Sequence, residues 1–397
     1  MSRTILDVHV LQTVPPSNLN RDDTGSPKTA VYGGVRRARV SSQAWKRATR
    51  RFFGDLLDPA DLGVRTKRVV EILADRITTL DPSLKGPEAL ALAAETIHAA
   101  TGAKIEVPKR RAEAAKKKGE EEPAPESSYL MFLGYRQFDG LARLAVEGAA
   151  DIKAFLKDKD NKAQAKRIAD TRHSVDIALF GRMVADSADI NVDAAAQVAH
   201  AISVHAVENE TDYYTAVDDR NTDAEPGAGM IGTVDFNSAT LYRYAAVDVD
   251  LLRRNLGAGL REDEPIDEPV RRAVEAFVRG FVESLPTGKI NTFGNHTLPD
   301  AVVVKLRTAR PISFVGAFEE PITADSASGY VRRACERLAD SVPATEKAYG
   351  ADEGTSTWVL RIGPNTAALA DLGTEVTLRE LVTAVGAAVT ERAGQGT

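Results

Sequence analysis

The sequence predicts a mixed α/β fold in which strands and helices interleave. Three observations lead there. An alternating apolar segment, Thr4–Leu11, stands near the start of the chain. A long stretch over residues 55–169 is rich in apolar residues at helical spacing, and the last third alternates helix-like with strand-like segments. At 397 residues the chain can bury one large core or two or three ordinary ones. Its net charge is −6, with 27% charged and 6% aromatic residues. No apolar run approaches the ~20 residues that span a bilayer. The opening MSRTILDVHV is too polar and too strand-like for a signal peptide. A single cysteine, Cys335, excludes an internal disulfide and fits a reducing, cytoplasmic setting.

Taken in order, Thr4–Leu11 places Leu6, Val8 and Val10 on one face and Ile5, Asp7, His9 and Leu11 on the other, which predicts a strand with one apolar face. Pro15, Pro16, Gly25, Pro27, Gly33 and Gly34 predict a long ordered loop that runs into a basic helix. From Arg21 to Arg51 the chain has no acidic residue after Asp23, yet it carries Lys28, Arg36, Arg37, Arg39, Lys46, Arg47, Arg50 and Arg51. Cations this dense in an acidic protein point to a localised polyanion, of which nucleic acid is the commonest; a solvated basic face is the alternative. Ser41 or Ser42 suits the N-cap of the helix. At ~100° per residue, Gln43, Lys46, Arg47, Arg50 and Arg51 share one side, and Ala44, Trp45, Ala48 and Phe52 the other. The free N–H groups at such a helix start suit phosphate.

Residues 65–78, 87–100 and 145–168 read as helices. Between the second and third lies VPKRRAEAAKKKGEEEPAPESS, a proline-bracketed segment of mixed charge near 104–128, expected to be a mobile surface excursion. Ser174–Phe180 reads as a strand, as does Gln197–Val207. A polar, Gly- and Pro-rich stretch flanked by Tyr213, Tyr214, Met230 and Ile231 predicts a projecting β-hairpin over about 208–234. Beyond Leu241–Val249 come helix 250–256, helix 268–285, strand 301–306, helix 329–338, strand 357–362 and helix 378–392.

Few motifs carry bond-making chemistry. Gly227, Gly229 and Gly232 formally satisfy GxGxxG, but an acidic stretch precedes them and a β-like one follows, which is the wrong context for a dinucleotide turn. His200 and His205 have the wrong spacing for one strand or helix face, so no zinc site or other cofactor is expected. Asp22 and Asp23, adjacent in a loop beside the cations, could hold a divalent ion and cleave a backbone; the alternative is that they pair with Arg21 or Arg36 and set the loop conformation. A DNA-binding regulator using residues 41–53 as a recognition helix is a further reading, though no companion helix lies a short turn away.

The run from Asn18 to Asp23, then Lys28, then GGxRRxRVSSQxxKRA from Gly33 to Ala48, resembles the CasC family, the backbone subunit of the type I-E CRISPR Cascade. Val175–Met183 (VDIALFGRM) resembles it too, as do Thr211–Asp219 (TDYYTAVDD), Phe236 and Tyr242–Tyr244. The resemblance is ordered from the N-terminus to about residue 255 and looser beyond. It implies a ferredoxin-like (RNA-recognition-motif-like) palm from residues 1–54 and 170–397, a helical finger inserted at 55–169, and a thumb hairpin. It further implies a non-catalytic protein that polymerises along CRISPR RNA in a helical filament with other Cascade subunits, presenting the guide to target DNA. Arg21, Lys28, Ser41, Gln43, Lys46, Arg47 and Arg50 match positions that hold the RNA backbone. Arg182 and Met183 match a contact near a displaced base, although a core methionine is an equal reading. Tyr213, Tyr214, Thr215 and Ile231 match the thumb, although without the resemblance the tyrosines read as ordinary strand residues.

Overall fold

The computed structural model describes residues 3–184, 190–216, 230–257, 264–265, 267–323, 329–351 and 353–395. The thumb tip and the first part of the GxGxxG match, which fall within residues 217–229, lie outside them. The chain forms two compact units: residues 1–53, 197–248 and 274–397 make a sheet unit, and 54–196 with 249–273 a helical unit.

The sheet unit is built on ten strands: β1 (Ile5–Ser17), β2 (Thr29–Tyr32), β3 (Val35–Val40), β4 (Ala196–Val198), β5 (Ala201–Ser203), β6 (Glu210–Ala216), β7 (Met230–Asp248), β8 (Ala301–Arg307), β9 (Ser356–Arg361) and β10 (Thr374–Glu375). Their order is β10-β9-β8-β1-β7-β5-β3-β2, with β6 and β4 also pairing β7. β1 lies between β7 and β8, antiparallel to both, with Val8 opposite Ala245 on one side and Val304 on the other. The longer helices of this unit are α1 (Ser42–Phe52), α2 (Glu268–Glu283, which enters it at Val274), α3 (Val331–Tyr349) and α4 (Leu378–Gln395).

The one-faced strand expected at 4–11 is therefore a central strand, buried from Ile5 to Gln12 on both faces. Its inward polar residues find internal partners, although His9 Nε2 has none among the described residues. Asp7 pairs with Arg307 (Nε–Oδ2 2.6 Å) and accepts from the Tyr244 hydroxyl at 2.8 Å. Arg307 and Lys305 both reach Glu346, at 2.8 and 3.0 Å. His9 Nδ1 lies 2.9 Å from the Tyr242 hydroxyl, which also accepts from the Phe314 N–H. Leu11, Val303, Phe314, Phe318, Cys335, Leu338 and Val359 fill one apolar layer of this unit.

The helical unit packs Val69–Leu80, Pro87–Thr101, Tyr135–Glu147 and Lys159–Ala169 around Leu73, Ile77, Leu92, Ile97, Phe138 and Leu141. The charged segment 104–128 carries local structure: Ile105–Glu106 pairs with Glu126–Ser127, and Lys109–Lys118 is a helix closed by Gly119 at φ 69°. Val175–Phe180, expected as a strand, is a helix that ends at Gly181, whose φ of 78° takes the chain out of helical geometry. A short apolar run buried almost all round has no period to read, so pattern could not separate the two.

His9, His173 and His205 are all held below the ordinary imidazole value, chiefly by burial, His173 to about 4 with Arg182 adding to the effect. The fold keeps these rings neutral, whereas the unfolded chain binds protons as pH drops through about 6.5. Stability present above pH 6.5 is therefore lost as pH falls toward 4. For His173 alone the loss reaches about 2 kcal/mol at pH 5. The expected outcome is a falling melting temperature between pH 7 and pH 5, with a shallower slope in His173→Gln; equal slopes in variant and parent would contradict it.

Candidate nucleic-acid interface

The cationic stretch folds as a hairpin followed by a helix. β2 and β3 pair around Gly33–Gly34, both with positive φ, so the loop expected to run straight into the helix is interrupted by a two-stranded turn. A Cβ at Gly33 would overlap the Glu319 carbonyl oxygen, which seats the hairpin tip against that segment. The buried Arg37 belongs to this seating: its guanidinium donates to the carbonyls of Tyr32, Ser203, Phe318 and Glu319. It is a structural cation. Arg39 donates to the Thr29 carbonyl.

Ser41 caps α1, its hydroxyl accepting from the Ala44 N–H at 3.3 Å. Trp45 and Thr49 turn inward, while Gln43, Arg47 and Arg51 are exposed and Lys46 and Arg50 are half-buried. Beneath Trp45 lies Arg243 of β7. Its guanidinium carbon sits 3.7 Å from the Trp45 ring centroid and 4.6 Å from that of Phe281. Arg243 also donates to Gln12 Oε1 at 2.6 Å and to the Phe281 carbonyl, and Gln12 in turn donates to the Thr297 carbonyl at 2.8 Å. A charge stacked between two aromatic faces thus ties the basic helix to the central strands. Nothing in an alternating strand marks one arginine as interior, so Arg243 escapes a reading by pattern.

The loop before the hairpin is fixed at both ends by asparagines. Asn18 donates to the carbonyls of Gly25 and Asp235, the latter on the base of the projecting β6–β7 arm. Asn20 Oδ1 accepts from the Ser41 N–H at 2.9 Å and so places the helix start. Asp22 Oδ1 accepts from the Thr24 N–H (2.9 Å), the Thr24 hydroxyl (2.7 Å) and the Ser26 N–H (3.1 Å), and these bonds hold its carboxyl below the usual range. Asp235 similarly accepts from the Ser26 and Thr211 hydroxyls. Arg21 bridges Pro27 across this loop and is exposed. Lys28 follows it, half-buried.

Desolvation pushes the Lys46 ammonium below its ordinary value with no carboxylate opposing it. Among the described residues neither Lys46 nor Arg47 has an ion-pair partner. A half-buried cation with no internal counter-ion is poised for an external anion.

The β6–β7 arm pairs Tyr213 with Thr233, Tyr214 with Gly232 and Thr215 with Ile231. One face therefore carries Tyr213, Thr215 and Ile231, and the other Tyr214 and Met230. All of β6 is exposed, and Tyr213 and Ile231 are each 70% exposed. Apolar side chains on both faces of a free two-stranded ribbon mark a surface made to be covered.

In the helical unit, Met183 and Arg182 part company. Met183 is 83% exposed, which removes the core-methionine reading. Arg182 is 4% exposed, donating to the carbonyls of Ile190, Phe132 and Ala169 and pairing with Asp170 at 3.1 Å. Its fork is filled internally, so the expected nucleic-acid contact at Arg182 is corrected to a structural role.

The match to the family model of CT1975-like (Cas) proteins spans residues 6–384. The chain belongs to this family. Members are CRISPR-associated, and the solved structures agree. One chain of a "CRISPR RNA-guided surveillance complex, pre-nicking" is 34% identical, with a TM-score of 0.81 over 97% of this chain and 100% of that one. A second, from a "CRISPR RNA-guided surveillance complex", is 31% identical, with a TM-score of 0.71 over 97% and 99%. Curated protein sequences give no match. For this CT1975-like protein the Trp45–Arg243 stack holds α1 against the sheet. Trp45→Ala is expected to cost about 3–5 kcal/mol in urea unfolding, because it leaves both a cavity and an unstacked buried charge. A loss under about 1 kcal/mol would show that the stack is incidental.

Proposed function

We propose that this chain is the non-catalytic, CRISPR RNA-binding backbone subunit of a Cascade-type complex, of the type I-E (CasC) kind. One observation carries the reading: an Asn20-positioned, Ser41-capped helix presents Gln43, Lys46, Arg47 and Arg50, and the Lys46 charge is half-buried without an acidic partner among the described residues. Such a row suits the phosphates of a strand held without regard to its bases. Lys28 and Arg21 extend the row along the preceding loop. Tyr213, Tyr214, Thr215 and Ile231 supply stacking and wedging surfaces on the arm; Met183, exposed in the helical unit, is a separate candidate RNA contact.

In this reading the sheet unit is the palm, ferredoxin-like in its core, and the helical unit is the finger, so that the boundary expected at 169 moves to 196 and residues 249–273 join the finger; the β6–β7 arm is the thumb. Copies of the chain assemble head to tail along the guide in the cytoplasm, with the other Cascade subunits, and the guide pairs with target DNA. The competing reading, an RNA endonuclease using Asp22 and Asp23 with a metal ion, is disfavoured by Asp22, whose Oδ1 already accepts three local hydrogen bonds. Incubation with labelled guide RNA and Mg²⁺ is expected to give no products. Cutting abolished by Asp23→Ala would install the nuclease instead.

Charge reversal at Lys46 and Arg47 is expected to weaken binding to unrelated RNA sequences equally and to lower the salt slope by about 0.7 for each phosphate no longer engaged. Unchanged affinity and slope in a filter-binding series would remove the groove assignment. Asn20→Ala, which carries no charge, is expected to weaken binding several-fold while leaving the slope unchanged.

A further inference from the structure

The segment Ser284–His296 lies far along the chain from the cationic stretch, yet it touches three parts of the nucleic-acid interface. At its near end the Ser284 hydroxyl lies 3.4 Å from that of Thr49, on the inner side of α1. At Gly288 it is laid against the Asn18–Leu19 turn so closely that a Cβ would overlap both carbonyl oxygens. The Phe293 ring then sits 5.9 Å from Phe236, at the base of the arm. Its remaining chemistry is uniform. Residues 284–299 include no acidic residue, in a chain with 57 of them. Asn291, Thr292 and His296 are exposed. Lys289 has no ion-pair partner among the described residues, and it holds the left-handed conformation (φ 50°, ψ 30°), as does Gly294 (φ 57°) four residues after the helical turn begins. A lysine there costs conformational energy that a glycine would avoid, and such outliers concentrate where function holds them. In the same segment Asn295 is 1% exposed, and neither oxygen nor nitrogen of its amide has a hydrogen-bond partner among the described residues.

We propose that this segment is a further wall of the nucleic-acid site, with Lys289 binding a phosphate of the same single RNA strand that α1 holds. Gly288 and Phe293 act as positioning residues, fixing the segment against the Asn18–Leu19 turn and the arm. The inference rests on the RNA-binding reading above and adds a ligand contact from the C-terminal third of the chain.

The test is binding of the full-length protein to a labelled single-stranded RNA of mixed sequence, across a salt series, in parent, Lys289→Glu, Lys289→Gly and Lys46→Glu proteins, with melting curves on each. Lys289→Glu is expected to lower affinity about tenfold and the salt slope by about 0.7. Lys289→Gly is expected to lower affinity while the melting temperature holds or rises, because glycine relieves the positive φ. A merely structural lysine would give the reverse: a lower melting temperature with affinity intact. If Lys46→Glu weakens binding and both Lys289 variants bind like the parent, the proposed wall is overturned and the α1 reading stands. If none of the variants changes binding, the α1 reading fails and the wall with it.

Discussion

Everything the basic helix can do depends on one buried contact, the guanidinium of Arg243 held between the rings of Trp45 and Phe281. A buried charge with hydrogen bonds on only some of its nitrogens costs several kcal/mol unless something else compensates. Here two aromatic faces, the Gln12 amide and the Phe281 carbonyl share that task. Because Trp45 belongs to α1, Arg243 to β7, Gln12 to β1 and Phe281 to α2, the same contact sets where the helix lies against the sheet. The outward row of cations inherits its position from an inward one.

The molecule uses its positive charge in two distinct ways. Arg37, Arg182, Arg243 and Arg307 are interior, each enclosed by carbonyls, carboxylates or rings, and each holds segments together that are distant in sequence. Lys46 and Arg47 have no such enclosure, and Lys289 repeats that condition far along the chain. Position relative to carbonyl-rich turns separates the two groups. Arginine's planar, five-donor fork suits it to the first role, whereas an outward ammonium or guanidinium can each meet an anion in the second. The acidic net charge then keeps polyanion binding local, since the bulk of the surface does not attract it.

Much of this is legible in the residues. The capped basic helix, the projecting arm and the alternation of the last third follow from capping, periodicity and turn chemistry, and Ser41 caps as expected. Other features are not, for identifiable reasons. β1 reads as one-faced because Asp7 and His9 look like surface residues, and only their pairing with Arg307 and Tyr242 lets them be inside. Val175–Phe180 is apolar almost throughout, so no period distinguishes strand from helix. Arg182 sits in a matching motif beside the exposed Met183, and sequence cannot tell that its fork closes on Ile190, Phe132, Ala169 and Asp170. The segment around Lys289 gives a weak signal, an acid-free run of ordinary length, and it gains meaning only when Gly288 is seen against Asn18 and Leu19.

In the proposed mode of binding, a single nucleic-acid strand is gripped by its sugars and phosphates along α1, without bond-making. The most direct measurement is an experimental structure of the protein with CRISPR RNA bound. Phosphate oxygens are expected at hydrogen-bonding distance, about 3 Å, from Lys46 and Arg47, with the bases directed away from the helix. RNA lying elsewhere on the protein, with those two side chains facing bulk solvent, would contradict it.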